Sequence, residues 1–389
     1  MTSFISSYLP FGKSETAANM ATPETNKQWT TGQDGLDKLQ FGEGKVPQPK
    51  DGEVLVKIHA VGLNYRDTED FIKLTAQVIN GDYNHHASVQ DTEALVPCSD
   101  MCGTVIQSSS PKLKVGTRVM SIFNQTHLTG QVVEADMASG LGLPLPGVLT
   151  EYRCFSADSL VTVPDYLSDE EAACLPIAAV TAWMCINGMR PLGKPADGGK
   201  KKESVLLQGT GGVAIAGLQI AKAAGLNVII TSSSDDKLER AKKDLGADTG
   251  INYRTHWEWQ DPVMEATGGR GADIIFETGG ARTLRKSFDS VAFGGLINCV
   301  GYLSGKEEEQ DTGGKVGVNV LALRRNVTLK GILNGPKDRF EEMVSFYEKH
   351  AIHPVICKTF EFEEANKALE YLTSGQHFGK VVVKISKSG

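Results

Sequence analysis

Residues 204–237 read Ser-Val-Leu-Leu-Gln-Gly-Thr-Gly-Gly-Val-Ala-Ile-Ala-Gly-Leu-Gln-Ile-Ala-Lys-Ala-Ala-Gly-Leu-Asn-Val-Ile-Ile-Thr-Ser-Ser-Ser-Asp-Asp-Lys. The apolar run Val205–Leu207 predicts a buried strand. A glycine turn follows, then a helix with an apolar face through Ile215, Leu218 and Ile220, then a second buried strand at Val228–Ile230. Gly209, Gly211 and Ala214 fit the spacing G-x-G-x-x-G/A. In such a turn the first glycine allows the tight bend and the second lets backbone approach a diphosphate. The small third residue lets helix and strand pack closely. The start of the helix offers free N–H groups and the positive end of its dipole to phosphate. Strand, glycine turn, helix and strand in this order point to a dinucleotide cradle at Gly209, Thr210, Gly211, Gly212, Val213 and Ala214.

The end of the second strand bears on which dinucleotide is held. A site for NAD usually has an acidic residue there to hold the ribose 2′-OH. Here the strand runs into Thr231, Ser232, Ser233 and Ser234. Small hydroxyls repel no phosphate and leave room for one. Lys237 follows at the next helix start with a positive charge, and Tyr253 offers a phenolic donor after the third strand. The expected cofactor is therefore NADPH. The serines also suit a plainer role as helix caps, with Asp235 and Asp236 placed for the dipole.

The chain's 389 residues allow two domains. A net charge of −7 and the absence of a basic run speak against nucleic acid as a partner. No apolar segment reaches membrane-spanning length. The seven cysteines are scattered, which fits free thiols in a reducing compartment, and the expected location is the cytoplasm. Residues 1–23 read as a loose polar extension. Strands are expected at 53–60, 103–107, 117–121 and 149–155. Long loops are expected at about 75–95, with His85 and His86, and at about 123–148, with His127. Ser168 and Glu171 form a capping box for a helical stretch that Pro176 breaks. After residue 204 strands and helices alternate, with strands at 250–253, 272–277, 295–300 and 327–333. A final β run at 379–385 is assigned back to the first domain.

The chain resembles the medium-chain dehydrogenase/reductase superfamily, in its zinc-independent, quinone-oxidoreductase-like branch. The resemblance rests on Gly-Leu-Asn-Tyr-Arg-Asp at 62–67, Pro-Cys-Ser-Asp-Met-Cys-Gly at 97–103 and Leu-Pro-Ile-Ala-Ala-Val-Thr-Ala-Trp at 175–183. Gly-Thr-Gly-Gly-Val-Ala at 209–214, Leu-Gly-Ala-Asp at 245–248, Ile-Asn-Tyr-Arg at 251–254 and His-Phe-Gly-Lys-Val-Val-Val at 377–383 complete it. The resemblance implies an α/β fold: a GroES-like β-rich catalytic domain plus a Rossmann doubly wound parallel-sheet domain. The expected division is 24–175 with 340–389 for the first and 176–339 for the second. It also implies Thr181 near the nicotinamide ribose or carboxamide, and Thr278, Val300, Gly301 and Tyr302 lining the nicotinamide. Ser232, Ser233, Lys237 and Tyr253 would surround the 2′-phosphate, and Lys380 would lie near the diphosphate. A homodimer through the Rossmann sheet edge is a further implication.

In zinc-dependent relatives a Cys stands at the place of Asn64, a His-Glu pair at Ser99-Asp100, and a third ligand near Ile177. None is kept here, and the four-Cys run of the structural zinc lobe is missing, so no metal is expected. Cys98 and Cys102, with Cys174, come nearest to a metal set, but buried free thiols are common. Without a Lewis acid, a quinone or an α,β-unsaturated carbonyl is the easier hydride acceptor, because charge collects on its oxygen and a donor can be aimed there. Asn64 and Tyr65 are the candidates for that donor, while Arg66 and Asp67 read as an ion pair. The expected activity is reduction of a small-molecule quinone or enone by NADPH. The alternatives are an alcohol dehydrogenase or carbonyl reductase of the same superfamily, and a non-catalytic NADPH-binding protein.

Overall fold

The computed structural model describes residues 23–32, 35–71, 95–199, 202–305 and 316–386. The loop expected at 75–95, with His85 and His86, lies outside them but for Leu95, as does the N-terminal extension but for residue 23. The described chain has fifteen strands: β1 (Thr25–Thr30), β2 (Gln40–Lys45), β3 (Glu53–Leu63), β4 (Asp100–Ser108), β5 (Arg118–Ser121), β6 (Tyr152–Ser156), β7 (Leu160–Thr162), β8 (Ser204–Gln208), β9 (Asn227–Ser232), β10 (Thr249–Asn252), β11 (Ala272–Glu277), β12 (Val291–Cys299), β13 (Thr328–Gly331), β14 (Ile356–Glu361) and β15 (Lys380–Lys384).

Strands β8 to β13 form one sheet in the order β10-β9-β8-β11-β12-β13, and every neighbouring pair is parallel. The order reverses between β8 and β11. Their carboxyl ends, Gln208 and Glu277, flank the switch point at which such sheets take ligands. Val205, Leu206 and Leu207 are fully buried, as expected for a strand covered on both faces. The helix Gly212–Ala223 crosses from β8 to β9. It lies close against the sheet at Gly217. A methyl group on Gly217 would lie 2.7 Å from the Phe276 ring. This is the α/β doubly wound sheet expected from the sequence.

The other sheet is mixed, in the order β14-β15-β3-β4-β5-β7, with β6 on the first half of β3. The second half of β3 pairs instead with β15, which brings the C-terminal run back beside residues 60–63. A separate hairpin of β1 and β2 was not expected, because its strands are largely polar. It is pinned by Trp29, whose indole N–H donates to Phe362 O at 2.8 Å.

The two sheets meet through residues 169–187. The Ser168–Glu171 capping box starts a short helix, Asp169–Ala172. Pro176 then lies in a wide π turn, Leu175–Ala179, before the helix Val180–Asn187. One hydrophobic cluster runs from Met120 and Ile122 through Leu175 and Trp183 to Leu207 and Leu218. Phe340, Met343 and Tyr347 of the helix Lys337–His350 belong to the same cluster. The division expected at 339/340 therefore falls inside a helix, and the chain enters the mixed sheet only at β14.

Candidate active site

The glycine turn has the geometry its sequence calls for. Gly209 adopts φ +82°, with nothing within 4 Å of the place a side chain would take. Gly211 is extended and precedes the helix Gly212–Ala223. Thr210 and Ala214 are buried, and Val213 is half-buried. The first turn of this helix thus presents unpaired N–H groups at the switch point, an arrangement suited to a diphosphate.

The expected 2′-phosphate residues are brought together in part. Tyr253 N donates to Ser232 O at 3.0 Å, so the phenol and the serine leave adjacent strand ends. Ser232 is buried, and its hydroxyl accepts from Ser234 N at 3.3 Å. Ser234 is the helix cap, accepting from Lys237 N at 3.4 Å. Lys237 departs from expectation. Its ammonium donates to Gly375 O and His377 O, 3.0 Å each, instead of standing over the serines. Its stem is partly desolvated, and burial lowers its pKa. Asp235 is occupied with Asn252 Nδ2 at 2.8 Å.

At the strand ends expected to line the nicotinamide, a buried carboxylate fixes the backbone. Glu277 accepts from Gln208 Nε2 at 2.8 Å, from Gly279 N at 3.0 Å and from Gly280 N at 2.9 Å, and also from the Thr283 and Ser287 hydroxyls. Thr278 is held through its N–H and its hydroxyl to Gln208, 3.1 Å each. Val300 N donates to Glu277 O at 2.8 Å, which sets Val300, Gly301 and Tyr302 beside Thr278. Thr181 is buried in the first turn of the helix Val180–Asn187. Neither Gln208 nor Glu277 was singled out in the sequence. The signal was available: each is a polar residue that directly follows an apolar run, 205–207 and 274–276.

Lys380 joins this half of the site to the other. Its stem lies over Gly212, where a methyl group would be 2.8 Å from Cδ. Its ammonium is turned away from the expected diphosphate position. It donates to Leu63 O and to Asn64 Oδ1, 2.7 Å each, and lies 3.6 Å from Asp100 Oδ2. The physical reason is burial: Lys380 and Asp100 are both nearly inaccessible, and a buried cation needs acceptors. Asp100 in turn accepts from Ile177 N at 3.1 Å and from Ser99 Oγ at 3.0 Å.

An ammonium can only donate, so the atom of Asn64 facing Lys380 is its oxygen. The amide is thereby oriented, and Nδ2 is left buried with no partner among the described residues. Asn64 N donates to Asp67 Oδ2 at 2.8 Å. Tyr65 opens the helix Tyr65–Phe71, with 52% of its surface exposed. Arg66 packs over the Phe123 ring, donates to Leu141 O at 3.1 Å and sits 3.8 Å from Asp67. Arg66 and Asp67 are thus a structural pair. His127 is buried, with Nε2 3.1 Å from Gly130 O. His377 escaped the sequence reading, although it stands in the same motif as Lys380. A side chain on Gly211 would meet its Nε2 at 3.7 Å.

Residues 50–165 match the family model for an alcohol dehydrogenase GroES-like domain, and residues 212–349 that for a zinc-binding dehydrogenase. The chain is 38% identical over 357 residues to a zinc-type alcohol dehydrogenase-like protein of Schizosaccharomyces pombe, which covers 90% of this chain and 96% of the relative. The chain belongs to the medium-chain dehydrogenase/reductase superfamily. It is similar in structure to a candidate alcohol dehydrogenase from Sinorhizobium meliloti 1021, with a TM-score of 0.79, 34% identity, and 94% and 100% of the two chains covered. It is also 26% identical over 362 residues to a 2-haloacrylate reductase of a Burkholderia species, covering 90% of this chain and 96% of that one. As a member of this superfamily the protein is an oxidoreductase with a pyridine-nucleotide fold. Among its described residues no helix is long and apolar enough to cross a membrane.

The family model's name implies zinc, and the residues do not suit it. The place is taken by an amide, a serine and a carboxylate, with an ammonium 3.6 Å from the carboxylate. No cluster of three His, Cys, Asp or Glu that could hold a metal occurs among the described residues. Burial, with Asp169 beside it, pushes the Cys102 thiol well up, and burial pushes Cys174 up to about 12. The glycine turn, by contrast, suits a dinucleotide.

Proposed function

We propose that the protein is an NADPH-dependent reductase of quinones or α,β-unsaturated carbonyl compounds, working without zinc. The observation that carries this reading is the Asn64 amide, locked by Lys380 so that a single unpaired N–H2 group remains for an acceptor. The residues 209–214 hold the diphosphate in this reading. Ser232, Ser233 and Tyr253 hold the 2′-phosphate, with Lys237 released from its carbonyls to reach it. Thr181, Thr278 and Val300–Tyr302 line the nicotinamide. When bound, NADPH supplies a hydride to the conjugated carbon of the substrate. Charge then gathers on the substrate's oxygen, and Asn64 Nδ2 stabilises it by donating there. Nδ2 is shielded from solvent, so the acceptor reaches it with the two domains apart. Domain interfaces of this kind commonly open. Tyr65, exposed one residue on, supplies the proton that completes the reduction and regains one from solvent. The 2-haloacrylate reductase is a relative named for reducing a conjugated carbon–carbon bond, which supports this choice.

The second reading is an alcohol dehydrogenase or carbonyl reductase, favoured by the names of the other two relatives. The test is NADPH consumption with quinones, enones, aldehydes and alcohols side by side. Turnover of enones or quinones supports the first reading. Turnover confined to alcohols and aldehydes supports the second, and no turnover with normal NADPH binding a non-catalytic role.

Cofactor choice has its own test. Ser232→Asp puts a carboxylate where a 2′-phosphate would sit and should shift preference towards NADH. The Kd for NADPH should rise by about tenfold or more, as expected for a like charge in a phosphate site. An unchanged ratio of the two affinities would remove Ser232 from the phosphate site.

We also propose a homodimer. β13 is an edge strand of the parallel sheet. Leu329 on it, Phe293 on β12, and Val320 and Leu323 on the helix Val318–Arg325 are exposed, Leu323 by 81%. An apolar edge of this kind invites a second copy. Sedimentation should give twice the chain mass, and Leu323→Glu should halve it. A monomeric wild-type protein would overturn the assignment. None of the seven cysteines is in a disulfide, which supports a cytoplasmic location.

A further inference from the structure

Residues 374–379 lie across the glycine turn. Gly379 pairs with Gly211 in an isolated bridge, and its N–H donates to Thr210 O at 3.0 Å. From the other side Lys237 ties the segment down through Gly375 O and His377 O. Between these ties the His377 ring faces the turn, with Nε2 3.7 Å from where a Gly211 side chain would begin. Nδ1 is buried and has no partner among the described residues.

The charged groups facing this ring are the ammonium groups of Lys237, on the helix Asp235–Leu245, and of Lys380, on β15. The glycine turn contributes none. Arg240 is stacked 4.4 Å over the neighbouring Phe378. Burial first, then the two lysines, holds the His377 pKa down at about 4. The ring is therefore neutral at neutral pH. A neutral imidazole carries one N–H. On Nδ1 it finds no partner among the described residues, a cost that the two charges of a bound diphosphate must outweigh for the ring to become charged. On Nε2 it points to the backbone that a diphosphate approaches.

We propose that His377 is a ligand of the dinucleotide's diphosphate, donating from Nε2 at the glycine turn and taking up a proton from solvent as the anion arrives. The proposal rests on the cofactor reading above. A diphosphate brings two negative charges into a field now set by two cations, which favours the charged ring. A ring more readily protonated in the complex than in the free protein makes binding tighten as pH falls. The bound proton is the only species gained, and no bond in the cofactor changes.

The test is calorimetric titration with the acid-stable oxidised dinucleotides NADP+ and NAD+, from about pH 8 to about pH 5.5, in buffers of different ionisation enthalpy. The wild-type protein should bind more tightly as pH falls and take up protons with both ligands. NAD+ lacks the 2′-phosphate, so uptake with it excludes that group as the source. His377→Gln retains a donor and should bind with a flat pH profile. His377→Leu should bind about tenfold more weakly at the upper pH, the worth of one hydrogen bond to a charged group. Wild-type affinity and wild-type proton uptake in both variants would overturn the role of His377 and leave the cofactor reading standing. Failure of the wild-type protein to bind either dinucleotide would overturn both. In the free protein Lys237 bonds only backbone carbonyls of this segment, which neither substitution alters, and the glutamine variant decides the matter if the leucine variant folds poorly.

Discussion

Asn64→Asp is expected to remove most of the turnover while leaving dinucleotide affinity unchanged. Asparagine and aspartate have nearly the same shape, and the carboxylate retains an oxygen for the Lys380 ammonium, which now lies 2.7 Å from Oδ1. The substitution changes the other end of the group. An N–H2 donor becomes an oxygen, so the substrate's developing negative charge meets an acceptor instead of a donor. Loss of one such donor costs about 10²–10³ in kcat in enzymes that stabilise an oxyanion. The dinucleotide is held at the glycine turn, beyond the lysine stem, so its Kd is expected to move little. Steady-state rates with an enone and a separate titration with NADPH check the two halves. A kcat within a few-fold of wild type would remove Asn64 from the chemistry. Tyr65→Phe in the same assay should cost less, because water can replace an exposed hydroxyl as the proton source.

Gly211→Ala is expected to damage the opposite half, cofactor binding, without unfolding the chain. Gly211 is extended, φ −78° and ψ −175°, a conformation open to any residue. The added methyl would meet His377 Nε2 at 3.7 Å, an ordinary contact. The folded chain therefore tolerates it. A bound diphosphate does not, since the second glycine of the turn is where backbone and phosphate touch. Overpacking by a methyl group costs about 1–3 kcal/mol, which is about fivefold to 140-fold in Kd. Gly209 gives a less clean test. Its φ of +82° would strain any side chain whether or not cofactor is present. Unchanged melting temperature with weakened NADPH binding is the expected pair of results for Gly211→Ala. Unchanged binding would mean the turn does not hold a diphosphate.

The parallel sheet was legible in the sequence because each strand is short, apolar and closed by glycine or a polar residue. The run Ala272–Glu277 has the bounds expected of it. The hairpin of β1 and β2 was harder to read, because its strands are largely polar and its anchor, Trp29 on Phe362, joins positions more than three hundred apart. The same limit governs the site. Asn64, Tyr65 and Lys380 could be named from local motifs. The direction of the Lys380 ammonium could not, because it is set by Asp100 and Leu63 on other strands. Lys237 illustrates the point again: its helix start was readable, but its partners lie at 375–377. Glu277 is buried among neutral donors, and the turn it holds together explains why a carboxylate ends β11.

Deuteride transfer is the most direct test of the central claim. NADPH deuterated on the reactive face of the nicotinamide would be mixed with an enone and metal-stripped protein, and the product examined for its label. The expected result is deuterium on the β-carbon, at a rate that neither a chelator nor added zinc changes. Unlabelled product, or transfer that appears only when zinc is restored, would contradict it.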